Sequence, residues 1–147
     1  MKYSIIFLAL ALGPSTRFSS AQPSATLTGS WTTADQSIVR VYACGTNTVC
    51  AQLVWLKDSA SLDDKNPDPS LRKRALCGIT LGTGFELVGA ANAKGGKLYD
   101  PESGKKYSAE MTLEGNTLKV RGYIGISIFG RTEVWHRNTT EISLCKP

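Results

Sequence analysis

Histidine is almost missing from this chain of 147 residues; His136 is the only one. Any nucleophile activated by imidazole would have to use it. Strand alternation sets His136 opposite in facing to Trp135 and Arg137, away from the interior if those two point inward. No G-x-S-x-G stretch is present, and no serine is singled out as a nucleophile. No C-x-x-C pair occurs, and the single histidine lies elsewhere, which argues against zinc. Strand–glycine loop–helix patterns and Walker sequences are also lacking, so the glycines do not form a phosphate cradle. Beyond Gln22 no stretch carries the apolar spacing of a long helix.

Charge is equally uninformative about polyanions. Basic and acidic residues are interleaved, and the one tight cluster is Arg72-Lys73-Arg74. No aromatic-interleaved platform surrounds it, so nucleic-acid binding is rejected. The carboxylates Asp63, Asp64, Asp68 and Asp100 all sit in turn-forming contexts rather than in an evident acid–base pair. Asp64, Asn66 and Asp68 have the D-x-N-x-D spacing of a calcium loop, but Pro69 stands where glycine is needed and Ala75 where a bidentate glutamate is required. The expectation is therefore that Asp64 and Asn66 order a turn while Asp68 caps a helix. Neither a metal nor a cofactor is expected, and the chain reads as leaning away from enzymes.

The first residues have the layout of a signal peptide. Lys2 precedes the apolar run Ile5–Leu12, Gly13-Pro14 breaks it, and Ser19-Ser20-Ala21 offers a cleavage point. That run is too short for a membrane span, which takes about 20 residues. Residues 1–21 are thus expected to be removed, leaving 22–147 as one periplasmic or secreted domain. Loss of Lys2 and Arg17 would lower the net charge from +5 to +3. Four cysteines remain, Cys44, Cys50, Cys77 and Cys145, an even count that suits disulfides in an exported chain. Three pairings are possible on paper. A local Cys44–Cys50 bridge across a hairpin-like turn is plausible, and Cys77 would then pair with Cys145.

What fills the mature chain is short runs rich in Val, Ile, Thr, Tyr and Trp, separated by turn residues. Runs at 38–42, 49–56, 77–81, 85–88, 96–100, 106–113, 117–123 and 131–137 predict about eight antiparallel strands, the count of a small up-and-down barrel. Gly122, Gly125 and Gly130 are expected at a sharp corner between the last two strands. One segment departs from this pattern: the long polar stretch from Lys57 to Leu76. Within it Asp68-Pro69 has a helix-start arrangement and predicts a short helix or 3₁₀ turn.

Four blocks now stand in order: Gly29-Ser30-Trp31; Asn66-Pro67-Asp68-Pro69 with Leu76-Cys77-Gly78; Tyr99-Asp100-Pro101-Glu102-Ser103-Gly104-Lys105; and Arg121-Gly122-Tyr123 through Phe129-Gly130-Arg131-Thr132 to Trp135-His136-Arg137. Together they resemble the exported bacterial family catalogued as domain of unknown function 2147, over essentially the whole mature chain. The resemblance implies a lipocalin-like (calycin-like) barrel and no established activity. In the lipocalin signature an arginine packs across a tryptophan; Trp31 matches the tryptophan, and Arg137 or Arg131 the arginine. Gly29, Trp31, Asn66, Asp68, Asp100, Gly130, Trp135 and Arg137 then stand as structural signature residues. The stretch Gly78 to Gly95 departs from the outline, being too rich in glycine and alanine for a regular strand pair.

The sequence therefore predicts a non-catalytic exported barrel that binds a small apolar or amphiphilic ligand. The candidate contact residues are the aromatics Trp55, Tyr99, Tyr107 and Tyr123, with Arg40 and Arg121 as anchors for an anionic head group. The alternative is an interaction module for cell-envelope components, acting through the 57–76 loop and its basic end.

Overall fold

The computed structural model describes residues 26–145. The expected leader, 1–21, lies outside them. Eight strands follow one another around a closed antiparallel barrel: β1 (Gly29–Thr32), β2 (Ile38–Ala43), β3 (Thr48–Trp55), β4 (Thr80–Val88), β5 (Asn92–Asp100), β6 (Lys105–Glu114), β7 (Thr117–Tyr123) and β8 (Arg131–Asn138). Each strand pairs with its neighbour in sequence, and β8 returns to β1 through Trp31 opposite Arg137.

Period-two alternation builds the wall. On β7, Leu118 and Val120 are buried while Lys119 and Arg121 point the other way, and on β6 the buried set is Ala109, Met111 and Leu113. These residues meet Trp31, Val39, Val41, Val49, Ala51, Phe85 and Trp135 in one core inside the barrel.

The strand count agrees with expectation, but two assignments differ. The run at 77–81 enters a strand only from Thr80 and continues unbroken through the run at 85–88 as the single strand β4, and the eighth place is taken by Gly29–Thr32. The glycine-rich stretch to Gly95 also forms a regular hairpin, β4 with β5, so the barrel closes there. The reason is steric. Gly82 and Gly96 face inward, and the ring of the fully buried Phe85 occupies the space that their side chains would fill. A Cβ on Gly82 would come within 2.8 Å of that ring. The glycines are matched to one large side chain and leave the strand intact.

One end of the barrel is shut. Trp31 is wholly buried and donates from its indole to the carbonyl of Leu27, 3.0 Å away. The Arg137 guanidinium lies over the Trp31 ring, 3.8 Å from its centroid, and donates to the carbonyls of Thr28, at 2.8 Å, and Thr26. Of the two arginines that could match the tryptophan, Arg137 is the one that stacks. Gly29 is required beside it: its φ is +128°, and a Cβ would stand 2.5 Å from the guanidinium. Burial lowers the Arg137 pKa below its ordinary value, as expected for a cation held against an aromatic face rather than against a carboxylate.

Both disulfides join the expected partners, Cys44 with Cys50 and Cys77 with Cys145. The second ties the C-terminal segment to the outer wall, where the Cys145 amide also donates to the Val54 carbonyl at 3.0 Å.

Candidate functional site: the open end of the barrel

The other end carries the 33–37 turn, the 56–79 connection, the 101–104 turn and the 124–130 loop. Beneath them lies a cavity of about 170 Å³ lined by Leu98, Asp100, Tyr107, Val120, Gly122, Arg131 and Glu133. Register shows that these residues share the inner face: Leu98 stands opposite Tyr107, Val120 opposite Glu133, and Gly122 opposite Arg131. The cavity exists partly because position 122 has no side chain. A Cβ there would make ordinary contact with Tyr107 at 3.6 Å, so a longer side chain would extend into the cup.

The polar groups at this cup differ in their engagement. Asp100 orders its own turn, accepting from the Glu102 amide at 3.0 Å and the Ser103 hydroxyl at 2.5 Å. Glu133 accepts from the Trp135 indole at 3.1 Å. Arg131 is exposed.

The 57–76 excursion closes on itself through a bridge between Leu62 and Ala75, and it contains the expected 3₁₀ turn, Pro69–Leu71. Asp68 caps that turn by accepting from the Ser70 amide at 2.9 Å. The loop is fastened to the barrel by a buried polar cluster. The Asp63 carboxylate, with no solvent exposure, accepts from the Tyr99 hydroxyl, from the Asn66 amide at 2.7 Å and from Arg74 Nε at 2.9 Å. Burial alone would push this carboxyl up, but the bonds from Tyr99, Asn66 and Arg74 outweigh it and hold its pKa below the ordinary value. Burial, together with the adjacent carboxylate, pushes the Tyr99 phenol up to about 12. Gly104 completes the seat: its φ is +69°, and a Cβ would collide with the Lys65 carbonyl. Two of the sequence blocks, 66–69 and 99–105, thus meet in space as one clamp.

The six candidate contact residues are distributed widely. Tyr107 lines the cavity. Tyr99 is turned to the outer face and lies under the loop, because a bulge between Ala93 and Gly96 shifts the alternation of β5. Arg121, also on the outer face, donates to the Ser127 carbonyl at 2.8 Å, the Ile128 carbonyl at 3.1 Å and the Thr132 hydroxyl at 2.8 Å. Tyr123 pairs with Ser108 on that same outer face, and Trp55 is half-buried at the end of β3. Arg40 is exposed in a separate outer cleft of about 570 Å³ with Ser30 and the tail residues 140–143. Leu98, Val120, Gly122 and Glu133 are cavity residues that sequence reasoning did not single out. The alternation of Leu118, Val120 and Gly122 was the available signal.

The remaining sequence candidates have local roles. Asn66 accepts from the Asp68 amide at 2.9 Å while its own amide faces Asp63, and Asp64 is exposed, so the three D-x-N-x-D side chains do not converge. Gly130 is needed where the corner is tightest, since a Cβ would lie 2.8 Å from the Gly122 carbonyl. His136 is exposed on the outer face.

A model of uncharacterized proteins conserved in bacteria (DUF2147) matches residues 29–137, from the glycine beside the Trp31 stack to the arginine that completes it. The chain belongs to this family. No curated protein matches it. Among solved structures, this DUF2147 chain is similar to protein HP1028 of the human pathogen Helicobacter pylori, described as belonging to the lipocalin family. The two share 26% identity with a TM-score of 0.72, over 79% of this chain and 85% of that one. The DUF2147 barrel is thus lipocalin-like in architecture. Among the described residues no helix is long and apolar enough to cross a membrane.

Proposed function

We propose that this DUF2147 protein is an exported, non-catalytic binding protein that holds a small apolar or amphiphilic molecule in the open end of its barrel. The observation that carries this reading is the inward-facing cup formed by Leu98, Tyr107, Val120 and Gly122, with charged groups at Asp100, Arg131 and Glu133. Apolar walls with a few placed polar groups are the usual make-up of small-ligand sites. Its volume, about 170 Å³, decides the scale of the occupant. Sites for drug-sized ligands run to roughly 300–1,000 Å³, so the cup suits a compact molecule or one end of a longer amphiphile. Two disulfides support folding in an oxidising compartment, in keeping with a periplasmic or secreted location.

Gly122→Leu tests the site directly, because the added side chain would occupy the cup. The variant should remain folded and bind the apolar probe 1-aminoanthracene at least tenfold more weakly. Native mass spectrometry of the exported wild type should also reveal a co-purifying small molecule. Equal probe affinity in both proteins, with no adduct, would sink the reading. The envelope-module alternative draws less support, since Arg74 is paired with Asp63 and Arg72 donates to the Asn66 carbonyl at 2.8 Å.

A further inference from the structure

The 124–130 loop is an anomaly for a surface turn. Ile124 is 72% exposed, Ile126 59%, Ile128 74% and Phe129 82%, whereas the other exposed large apolar side chains among the described residues reach only 41–49%. Four such groups within six residues leave a contiguous apolar tip in water, an arrangement that commonly marks an interaction surface.

The tip is held in place from below. The Arg121 guanidinium grips the Ser127 and Ile128 carbonyls and the Thr132 hydroxyl, and the Ser127 hydroxyl donates to Glu110 at 2.8 Å. A 3₁₀ turn at Ser127–Phe129 and the left-handed Gly125, at φ +82°, complete the scaffold. These bonds hold the 127–128 backbone against the barrel, while the four apolar side chains stand in solvent.

Cations flank the tip. Arg131 follows it directly on β8, and Lys105 and Lys106 stand at the same end of the barrel, at the start of β6, the strand whose Ser108 pairs with Tyr123 at the foot of the loop. All three are exposed. We propose that the open end docks on an anionic phospholipid bilayer, with Ile124, Ile126, Ile128 and Phe129 entering the interface while Lys105, Lys106 and Arg131 face the head groups. A projecting tip of four side chains is small beside the roughly 800 Å² per partner that a stable protein interface buries. A few apolar groups beside basic residues are well suited to reversible association with an anionic membrane. This inference stands whether or not the cup holds a ligand.

The purified protein can be tested by co-sedimentation with vesicles of 30% phosphatidylglycerol in phosphatidylcholine, against pure phosphatidylcholine. Wild type should bind the anionic vesicles, and added salt should weaken the binding. The double variant I128S/F129S should bind at least tenfold more weakly with an unchanged melting temperature, because neither side chain is packed. The charge variant K105E/K106E should lose the preference for phosphatidylglycerol, and V88S, at the opposite end, should bind as wild type does. No wild-type binding, or equal binding by I128S/F129S, would overturn the proposal. So would a wild-type dimer in sedimentation equilibrium that I128S/F129S dissolves, since the tip would then cover a second copy.

Discussion

The two ends of this barrel are built on opposite principles. The shut end concentrates its large side chains: Trp31 is wholly buried, Arg137 stacks on it, and Gly29 supplies the positive φ that the backbone takes beside them. The open end turns its polar groups toward clamps and braces, and leaves both a cavity and an apolar tip. Interior packing secures one end, while hydrogen bonds to loops shape the other. The contrast suggests a division between a region that sets global stability and a region free to vary in what it contacts.

The largest expected effect lies at the shut end. Trp31→Ala removes a buried indole and leaves the Arg137 guanidinium without its aromatic face. Urea unfolding should show a loss toward the upper end of about 3–5 kcal/mol. If that loss fell below about 1 kcal/mol, the shut end would not be the stabilising region. The Cys77–Cys145 bridge spans 68 residues and connects the C-terminal segment with the base of the long loop. Its removal in C77S/C145S should cost about 4 kcal/mol on the chain-entropy account, read by the same titration.

At the open end the expected change is smaller and local. Asp63→Ala removes the acceptor of the Tyr99 hydroxyl and of Arg74, and one of the two acceptors of the Asn66 amide, at about 1–3 kcal/mol. Hydrogen exchange should rise across 57–76 more than in the barrel strands. A uniform rise across the whole barrel would show that the clamp is part of the core instead. The same cluster sets a pH window. The Asp63 carboxyl titrates below its ordinary 3.8, so its contribution is complete above that pH and is lost as pH falls through the lower folded value. The Tyr99 phenol titrates at about 12 rather than 10.0, so its contribution is complete below pH 10.0 and is lost as pH rises toward 12. Loop protection should therefore hold through neutral pH and fail at both extremes.

Much of the shut end could be read from the chain. The Gly29-Ser30-Trp31 block and the terminal arginines pointed to the stack, and the choice between Arg131 and Arg137 required only the register of β8 against β1. The Cys44–Cys50 bridge and the 3₁₀ turn after Asp68 were also accessible, since each depends on local spacing or capping chemistry, and Cys77 with Cys145 followed as the remaining pair. The open end was harder because its facings depend on irregularities. The bulge in β5 turns Tyr99 outward and Leu98 inward, and alternation alone cannot locate a bulge. The Gly82–Phe85–Gly96 match was hidden for a related reason: it joins two strands across a register that composition does not reveal. The clamp between blocks 66–69 and 99–105 is a tertiary contact between segments about 33 residues apart, as the Asn66–Tyr99 bond shows.

The long disulfide also determines how the molecule would respond to being pulled. Strands β4 to β8 lie between Cys77 and Cys145, inside a covalent ring, whereas β1 to β3 lie outside it. Tension applied at the two chain ends would pass through the sulfur bridge and bypass the ring. The segment preceding Cys77 could lengthen apart from the short Cys44–Cys50 loop, while the 68-residue span would conceal about 230 Å of contour at ~3.4 Å per residue. In a force spectrometer, addition of a reductant should release that hidden length as a second, later extension.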